Sequence, residues 1–461
     1  MPDTILPISP AGLAMPPCRG EEALAARFAN RQARIAVIGL GYVGLPLALT
    51  LVAAGFATTG LDSDGTKLAR LAAGESTLRQ IPNDRVASAL REGRLTVTGS
   101  WSCLAEADAV LICVPTPLGR YREPDLSAVE AAARRIAAHL RPGQLVVLES
   151  TTWPGTTREV VQPVLEATGL VAGRDFYLAY SPEREDPGNT AYRTATIPRV
   201  VGAADPESQR LALVLYGAVT ERVVPVRSPE TAEAVKLTEN IFRAVNIALV
   251  NELKQVFGAM GIDVWEVIEA ARTKPFGYMP FQPGPGLGGH CIPVDPFYLA
   301  WKARAHGVPT RFVELAGEIN TAMPLLVLEA LGRALDTTQG RGFRGSRILV
   351  LGVGYKPNLE DVRESPALRL IELIEQRGGV PAYHDPLVPA LPATLPDHPS
   401  LAGRRSLPLD DAVLRDCHAV LITTDHDGVD YPRIAALAPL VVDTRNICAR
   451  LGLTGAHIVK A

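Results

Sequence analysis

At 461 residues the chain is too long for one hydrophobic core, and its length argues for two or three domains. Hydrophobic residues make up 47% and charged residues 21%, with a net charge of −3, which suits an enzyme with a sizeable interior and excludes a nucleic-acid binder built on a basic surface. No apolar run approaches the length of a membrane span, so no membrane partner is expected.

Residues 1–33 are Pro- and Ala-rich and lack a basic start followed by an apolar stretch. They predict a flexible or loosely packed extension and no secretory leader. Arg34–Ile38 predicts a first strand that runs into Gly39-Leu40-Gly41-Tyr42-Val43-Gly44, after which Leu45–Leu49 opens a helical pattern. Glycines in that strand–turn–helix context allow a tight turn and close approach of backbone to a pyrophosphate, with the helix N-terminus favouring its charge. A second strand, Ala57–Leu61, ends at Asp62, placed to accept from ribose hydroxyls and to repel a 2′-phosphate, so NAD is expected rather than NADP. The competing reading is a glycine-rich turn in some other α/β domain.

Further strands are predicted at Ala109–Val114, Leu145–Leu148 and Phe176–Tyr180, with helical segments between them. That alternation indicates a doubly wound parallel sheet over residues 34–228. The chain then predicts a long helix from Glu230 to Met260 and another from Pro309 to Leu335, separated by the Pro/Gly-rich segment Lys274–Pro296, so that residues 229–335 form a central helical region. Strand-like runs at Ser346–Gly354, Ala419–Thr423 and Leu440–Asp443 predict a second, smaller Rossmann-like domain over residues 336–461. It has Gly352 and Gly354 but Pro357 where a third glycine would fall, so no second dinucleotide is expected there. The predicted fold class is α/β, with two Rossmann-like doubly wound parallel-sheet domains joined by a central helical region.

Six cysteines (Cys18, Cys103, Cys113, Cys291, Cys417, Cys448) are scattered with no CxxC pair, which fits a reducing cytoplasm and no structural metal site. Cys113 falls inside an apolar run and reads as a buried strand residue. Cys291 differs, lying in Gly284-Pro285-Gly286-Leu287-Gly288-Gly289-His290-Cys291-Ile292-Pro293-Val294-Asp295. The loop context alone fits a thiol nucleophile and a small buried hydrophobe equally well. His290, its neighbour, reads as a loop residue because adjacent side chains point apart.

Lys236, Asn240 and Arg243 recur at i, i+4 and i+7, one face of the first long helix. The apolar neighbours Leu237, Ile241, Phe242, Ile247 and Leu249 mark that helix as buried, and a polar stripe on a buried helix needs partners. Ser181-Pro182-Glu183-Arg184-Glu185-Asp186 follows a strand and stacks charge at its end, either as a surface turn or as a source of a carboxylate for water activation.

Taken together, the GlyXGlyXXGly start, Cys113-Val114-Pro115-Thr116-Pro117, Ser150-Thr151, Ser181-Pro182-Glu183, Lys236 with Asn240, Gly288-Gly289-His290-Cys291, and Tyr355-Lys356 with Asp361–Ser365 resemble the UDP-glucose/GDP-mannose dehydrogenase family from Gly39 to Arg445. The Gly-Gly-His-Cys-Ile and Ser-Pro-Glu-Arg forms resemble the branch acting on UDP-N-acetylhexosamines, and Pro283-Gly284-Pro285-Gly286 with Asp295-Pro296-Phe297-Tyr298-Leu299 is most similar to members acting on UDP-N-acetylglucosamine. The resemblance implies a four-electron, NAD-dependent oxidation of a sugar C6 alcohol to a carboxylate through a thiohemiacetal and thioester on Cys291. It gives Lys236 and Asn240 oxyanion stabilisation, pairs Asp295 with the cysteine loop, and assigns Glu183 and Thr151 to hydrolysis. Gly39, Gly41, Tyr42, Val43, Gly44, Asp62, Lys67 and Thr116 would hold NAD. Arg184, Lys236, Asn240, Arg243, Phe281, Gly286, Tyr355, Lys356, Arg363 and Arg445 would hold the UDP-sugar. A homodimer or larger homo-oligomer built on the central helices is implied as well. The alternatives are UDP-glucose, UDP-N-acetylgalactosamine or UDP-N-acetylmannosamine as substrate, or a two-electron dehydrogenase resembling 6-phosphogluconate dehydrogenase. Pro187 stands where glucose-type relatives carry a second glutamate, with Glu185 and Asp186 close by.

Overall fold

The computed structural model describes residues 19–119, 121–184 and 194–461. Eight strands form the first sheet: β1 Arg34–Ile38, β2 Ala57–Leu61, β3 Leu95–Thr98, β4 Ala109–Ile112, β5 Leu145–Leu148, β6 Tyr177–Tyr180, β7 Arg199–Ala203 and β8 Val223–Val226. Their order is β3-β2-β1-β4-β5-β6-β7-β8, parallel at every step except β6 to β7. β4 (Ala-Val-Leu-Ile) and β5 (Leu-Val-Val-Leu) are buried throughout, as strands covered by helices on both faces must be. Because the winding reverses between β1 and β4, the loops at their carboxyl ends diverge and open a crevice.

The antiparallel step at β7 departs from the uniformly parallel sheet the alternating pattern predicts. β8 contains Pro225, which is tolerated because the strand lies at the sheet edge.

The N-terminal extension also differs from expectation. Arg19–Ala29 is a helix whose Leu24 and Phe28, at i and i+4, are buried in the core of the first domain. Arg27 Nη1 donates to Asp108 Oδ1 at 2.6 Å, so the domain starts well before residue 34. Residues 1–18 of the predicted extension lie outside the described residues.

The central region is built on two long helices, Pro229–Ala259 and Arg311–Gln339. The first is capped by Ser228, whose Oγ accepts from Thr231 N at 3.2 Å. The second runs past the predicted boundary at 335. Its Val327, Leu328, Leu331 and Leu335 pack into the core of the third domain, so one helix serves both units. The two helices are tied by buried amides, with Asn251 Nδ2 donating to Asn320 Oδ1 at 3.0 Å.

The third domain is a parallel sheet of β9 Arg347–Leu351, β10 Val380–His384, β11 Ala419–Ile422, β12 Val441–Asp443 and β13 Ile458–Lys460, ordered β10-β9-β11-β12-β13. A cleft of about 1790 Å³ runs between the domains, from the crevice of the first sheet to the Cys291 loop and the third domain. No helix among the described residues is long and apolar enough to cross a membrane.

Candidate active site

At the end of β1, Gly39 has φ +91°, and a Cβ there would fall 2.4 Å from the carbonyl oxygen of Cys113. A Cβ on Gly44 would fall 1.8 Å from the Gly39 oxygen. Both glycines are thus required by the chain's own packing. A Cβ on Gly41 would meet nothing within 4 Å, because that position faces the cleft.

Asp62, one residue beyond β2, reaches back over this loop: its Oδ2 accepts from Leu40 N at 2.8 Å and from Lys67 Nζ at 2.7 Å. Burial works against its carboxylate, but the Lys67 ammonium and the Asp64 and Leu40 amides outweigh it and hold the pKa below the usual range. Tyr42, Val43, Lys67 and Thr116 line the same wall of the cleft. An open glycine at a helix N-terminus, with an ionised carboxylate at the end of the next strand, fits a dinucleotide carrying free ribose hydroxyls.

The opposite wall carries Cys291. Its carbonyl accepts from Val294 N at 3.1 Å and Asp295 N at 2.8 Å, a turn that starts the helix Asp295–Ala305. The half-buried thiol lines the cleft, and behind it lie four buried polar side chains. Lys236 Nζ donates to Glu183 Oε2 at 3.0 Å, and one turn along the same helix Asn240 Nδ2 donates to Asp295 Oδ2 at 2.5 Å. Four residues separate the donors, so one helix face serves two carboxylates, one from the end of β6 and one from the start of a helix.

The charges act strongly on one another. Burial pushes the Cys291 thiol up to about 12, with Lys236 pulling it down and Asp295 and Glu183 adding to the rise. Burial likewise lifts Asp295 to about 7 against the pull of Lys236 and Asn240. Burial disfavours the Lys236 ammonium, but Glu183, Cys291 and Asp295 more than offset this and raise its pKa. Burial thus favours the protonated thiol, beside a carboxyl able to exchange a proton near neutrality.

The glycines before Cys291 let the third domain close on the loop. A Cβ on Gly288 would fall 2.5 Å from Tyr355 Cβ, and one on Gly289 would fall 2.8 Å from Tyr355 Cε2. Gly289 N donates to the Arg363 carbonyl at 3.0 Å. The Arg363 guanidinium lies 4.8 Å over the Tyr42 ring, with one nitrogen 3.2 Å from His290 Nδ1. Burial, reinforced by Arg363, lowers His290 to about 4, so its ring is neutral at physiological pH. His290, expected to be a plain loop residue, therefore joins the cysteine loop to the dinucleotide loop through Arg363.

Several predicted site residues fall elsewhere. Arg184 is held by Glu239 Oε1 at 2.5 Å and the Pro198 carbonyl at 2.5 Å, outside the cleft lining. Arg243 shares an angular position with Lys236 but lies two turns further on, where the helix leaves the core and Arg243, Phe242 and Leu249 are exposed. Phe281 packs edge-on against Phe242, with ring centroids 5.8 Å apart. Tyr355 and Lys356 are half-buried on the third domain, and Arg445 is half-buried against Gly284, where its Nε donates to the Thr423 carbonyl at 2.7 Å. Gly286, Arg363, Glu183 and Thr151 line the cleft. Glu185 and Asp186 lie outside the described residues.

Two polar clusters escape sequence inspection. Glu149 lines the cleft under Thr151, paired with Arg199 at 2.7 Å and accepting from Tyr216 Oη at 2.5 Å. The signal is a carboxylate directly after the apolar run of β5. Asn251 Oδ1 accepts from Gly284 N at 3.0 Å and so anchors the start of the cysteine loop. The signal there is a pair of asparagines inside apolar helix stripes, and buried amides require partners.

Three family models together match most of the chain: the NAD binding domain of the UDP-glucose/GDP-mannose dehydrogenase family matches residues 33–220, its central domain 230–322 and its UDP binding domain 349–450. A UDP-N-acetyl-D-glucosamine 6-dehydrogenase of Pseudomonas aeruginosa is 36% identical over 77% of this chain and 83% of its own length. An NDP-N-acetyl-D-galactosaminuronic acid dehydrogenase of Ralstonia solanacearum is 34% identical over 90% of this chain and 96% of its own. Among solved structures, the UDP-D-ManNAc dehydrogenase of Pyrococcus horikoshii superposes with a TM-score of 0.82 at 33% identity, covering 93% of this chain and 98% of that one.

Proposed function

The chain belongs to the UDP-glucose/GDP-mannose dehydrogenase family and is an NAD-dependent nucleotide-sugar dehydrogenase, and from that premise we propose that it oxidises the C6 alcohol of UDP-N-acetylglucosamine to the carboxylate through a thioester on Cys291, making a uronic acid for surface polysaccharide. The observation that carries this reading is the placement of Cys291 directly in front of Lys236, Asn240, Asp295 and Glu183. A two-electron alcohol dehydrogenase has no use for that thiol.

The Gly39–Gly44 turn, Asp62, Lys67 and Thr116 would hold NAD, two molecules of which, bound in turn, would accept the two hydrides. In the first, Asp295 or Glu183 takes the alcohol proton as the C6 hydride departs, and Asp295 is suited to this by its pKa of about 7. The Cys291 sulfur then adds to the aldehyde carbon, its own proton passing to the same carboxyl cluster. Lys236 and one N–H of Asn240 donate to the C6 oxygen of the thiohemiacetal; an amide has two N–H donors, and Asp295 takes the other. Loss of a second hydride leaves the thioester. Water, activated by Glu183 and positioned by Thr151, displaces the sulfur as the leaving group and restores the thiol.

The choice of sugar rests on the Gly288–Ile292 loop and its likeness to enzymes of N-acetylated substrates, because the similar proteins named above act on different sugars. The test is NADH release from purified protein with UDP-N-acetylglucosamine, UDP-N-acetylgalactosamine, UDP-N-acetylmannosamine and UDP-glucose. We expect two NADH per sugar, with UDP-N-acetylglucosamine turned over fastest. One NADH per sugar would overturn the thioester route, and turnover of UDP-glucose alone would overturn the substrate.

A homodimer is proposed on the first long helix, where Phe242, Leu249, Val256 and Met260 form one stripe, 49%, 51%, 42% and 66% exposed. Sedimentation as a monomer at micromolar concentration would rule it out. The cytoplasm is proposed as its compartment, since none of Cys103, Cys113, Cys291, Cys417 and Cys448 forms a disulfide.

A further inference from the structure

The two Rossmann-like domains repeat the same turn at the end of their first strand. Gly352 follows β9 with φ +84°, and a Cβ on it would fall 2.4 Å from the Thr424 carbonyl oxygen, just as one on Gly39 would meet the Cys113 carbonyl at 2.4 Å. Asp385 follows β10 as Asp62 follows β2. Its Oδ2 accepts from Val353 N at 2.7 Å, matching the 2.8 Å bond from Leu40 N to Asp62.

The repeat ends at the second glycine. Gly41 opens onto empty space, whereas a Cβ on Gly354 would lie 2.4 Å from the Leu359 carbonyl and 3.6 Å from His426 Cε1. The Leu359 carbonyl, backed by an imidazole from beyond β11, thus occupies the ground that the first domain leaves open for its cofactor.

Asp385 is also saturated. Its Oδ1 accepts from Leu387 N at 2.8 Å and Val388 N at 3.0 Å, while Oδ2 takes Gly354 N at 3.1 Å and His426 Nε2 at 3.1 Å in addition to Val353. Both side chains are buried, His426 to 1% and Asp385 to 3% exposure. On the other edge of the ring, His426 Nδ1 lies 3.0 Å from Asn358 N. A backbone N–H can only donate, so Nδ1 carries no proton and Nε2–H is the donor to Asp385.

Asn358 has φ +62°, a left-handed conformation that asparagine adopts more readily than other residues with a side chain. It is held there by His426 and by reciprocal bonds with Asp427, Nδ2 to Oδ2 at 2.6 Å and Asp427 N to Oδ1 at 2.9 Å. Between the two clamped ends, at Gly354 and Asn358, lie Tyr355, whose ring packs on Gly288 and Gly289, and Lys356.

We infer that His426, oriented by Asp385, is a positioning residue for the nucleotide-sugar site: it packs beside the Leu359 carbonyl in the closed-off niche of the second Rossmann-like domain and, through Asn358, sets the Tyr355–Lys356 loop against the cysteine loop. This rests on the reading above that Tyr355 and Lys356 serve a UDP-sugar.

The test is calorimetric titration of full-length protein with UDP and, separately, with NAD, for wild type and His426→Ala, His426→Gln and His426→Asn. An asparagine oxygen takes the place of Nδ1, and a glutamine amide that of Nε2. Losing a buried acceptor for Asn358 N costs about tenfold in UDP affinity in the Ala and Gln variants, while Asn stays within about threefold of wild type and NAD affinity moves less than about twofold throughout. In turnover the same split appears as a raised KM for the sugar with kcat nearly kept. Equal loss of UDP and NAD binding, unchanged UDP binding in the Ala variant, or rescue by Gln rather than Asn overturns the inference. If Ala fails to fold, the Gln and Asn pair decides alone. If wild type binds NAD but not UDP, the reading of the site itself fails and this inference falls with it.

Discussion

Cys291→Ser should abolish acid formation, lowering turnover to carboxylate by roughly a thousandfold or more, while NAD affinity stays at the wild-type value. The two readouts separate because the groups are separate. The dinucleotide residues Gly39, Gly41, Asp62 and Lys67 belong to the first domain, on and just after the loops that follow β1 and β2, and Cys291 enters the cleft from the loop before the helix Asp295–Ala305 on the opposite wall. Serine keeps the size of the side chain but holds its proton far more tightly, in a site whose burial already lifts the thiol to about 12. A thiolate can form there because Lys236 favours it; an alkoxide lies beyond that help. The measurement is carboxylate produced per NADH in a single turnover, alongside an NAD titration. Acid formation at the wild-type rate would overturn the covalent route, and a parallel loss of NAD binding would mean that the variant had disturbed the fold instead of the chemistry.

The parts of this molecule that could be read from sequence are those whose physics is local. β1 with its glycine turn, β4 and β5 as continuous apolar runs, and the two long helices each carry their signal within a window of residues. β3, β7, β8, β10 and β13 did not show themselves: each has three to five residues, several are half-exposed, and β8 contains a proline. The helix Arg19–Ala29 was hidden because two apolar side chains, Leu24 and Phe28, suffice to anchor it once a neighbouring helix is in place.

The same distinction applies to the candidate site. Spacing put Lys236 and Asn240 on one face, but the identical argument put Arg243 with them, and only the depth of the helix in the protein separates the three. Arg184 shows the limit from the other side. Its place after β6 suggests a ligand, yet Glu239, 55 positions later, already holds it. The role of Asp385 and His426 was invisible for the same reason, because 41 residues separate them and neither carries a motif.

Lys236→Met should cost activity and stability together, with a pH signature that tells the two apart. The side chain is 5% exposed and pairs with Glu183, itself 8% exposed, so removing the ammonium leaves buried carboxylates without their counter-ion. Breaking a buried pair from one side costs about 3–5 kcal/mol of stability at neutral pH. Asp295, already lifted to about 7 with Lys236 pulling it down, will move further up in the variant. A carboxyl with a folded-state pKa above its unfolded value binds its proton more tightly when folded. Its stabilising contribution is complete below the unfolded value near 4 and is lost as pH rises through the folded pKa. Wild-type Asp295 shares this loss up to about pH 7, so the variant should lose melting temperature relative to wild type as pH rises from about 7 upward, where the wild-type carboxyl has ionised and the variant's still holds its proton, a slope that differential scanning calorimetry will reveal. Turnover should fall about 10²–10³-fold at any pH where the variant is folded, with a smaller change in KM, because the ammonium matters most when charge develops on the C6 oxygen. Lys236→Arg should restore stability better than turnover, since a guanidinium keeps the charge but not the compact point of donation beside Cys291. A variant that kept wild-type turnover, or one whose stability loss did not change with pH, would remove Lys236 from the centre of the mechanism.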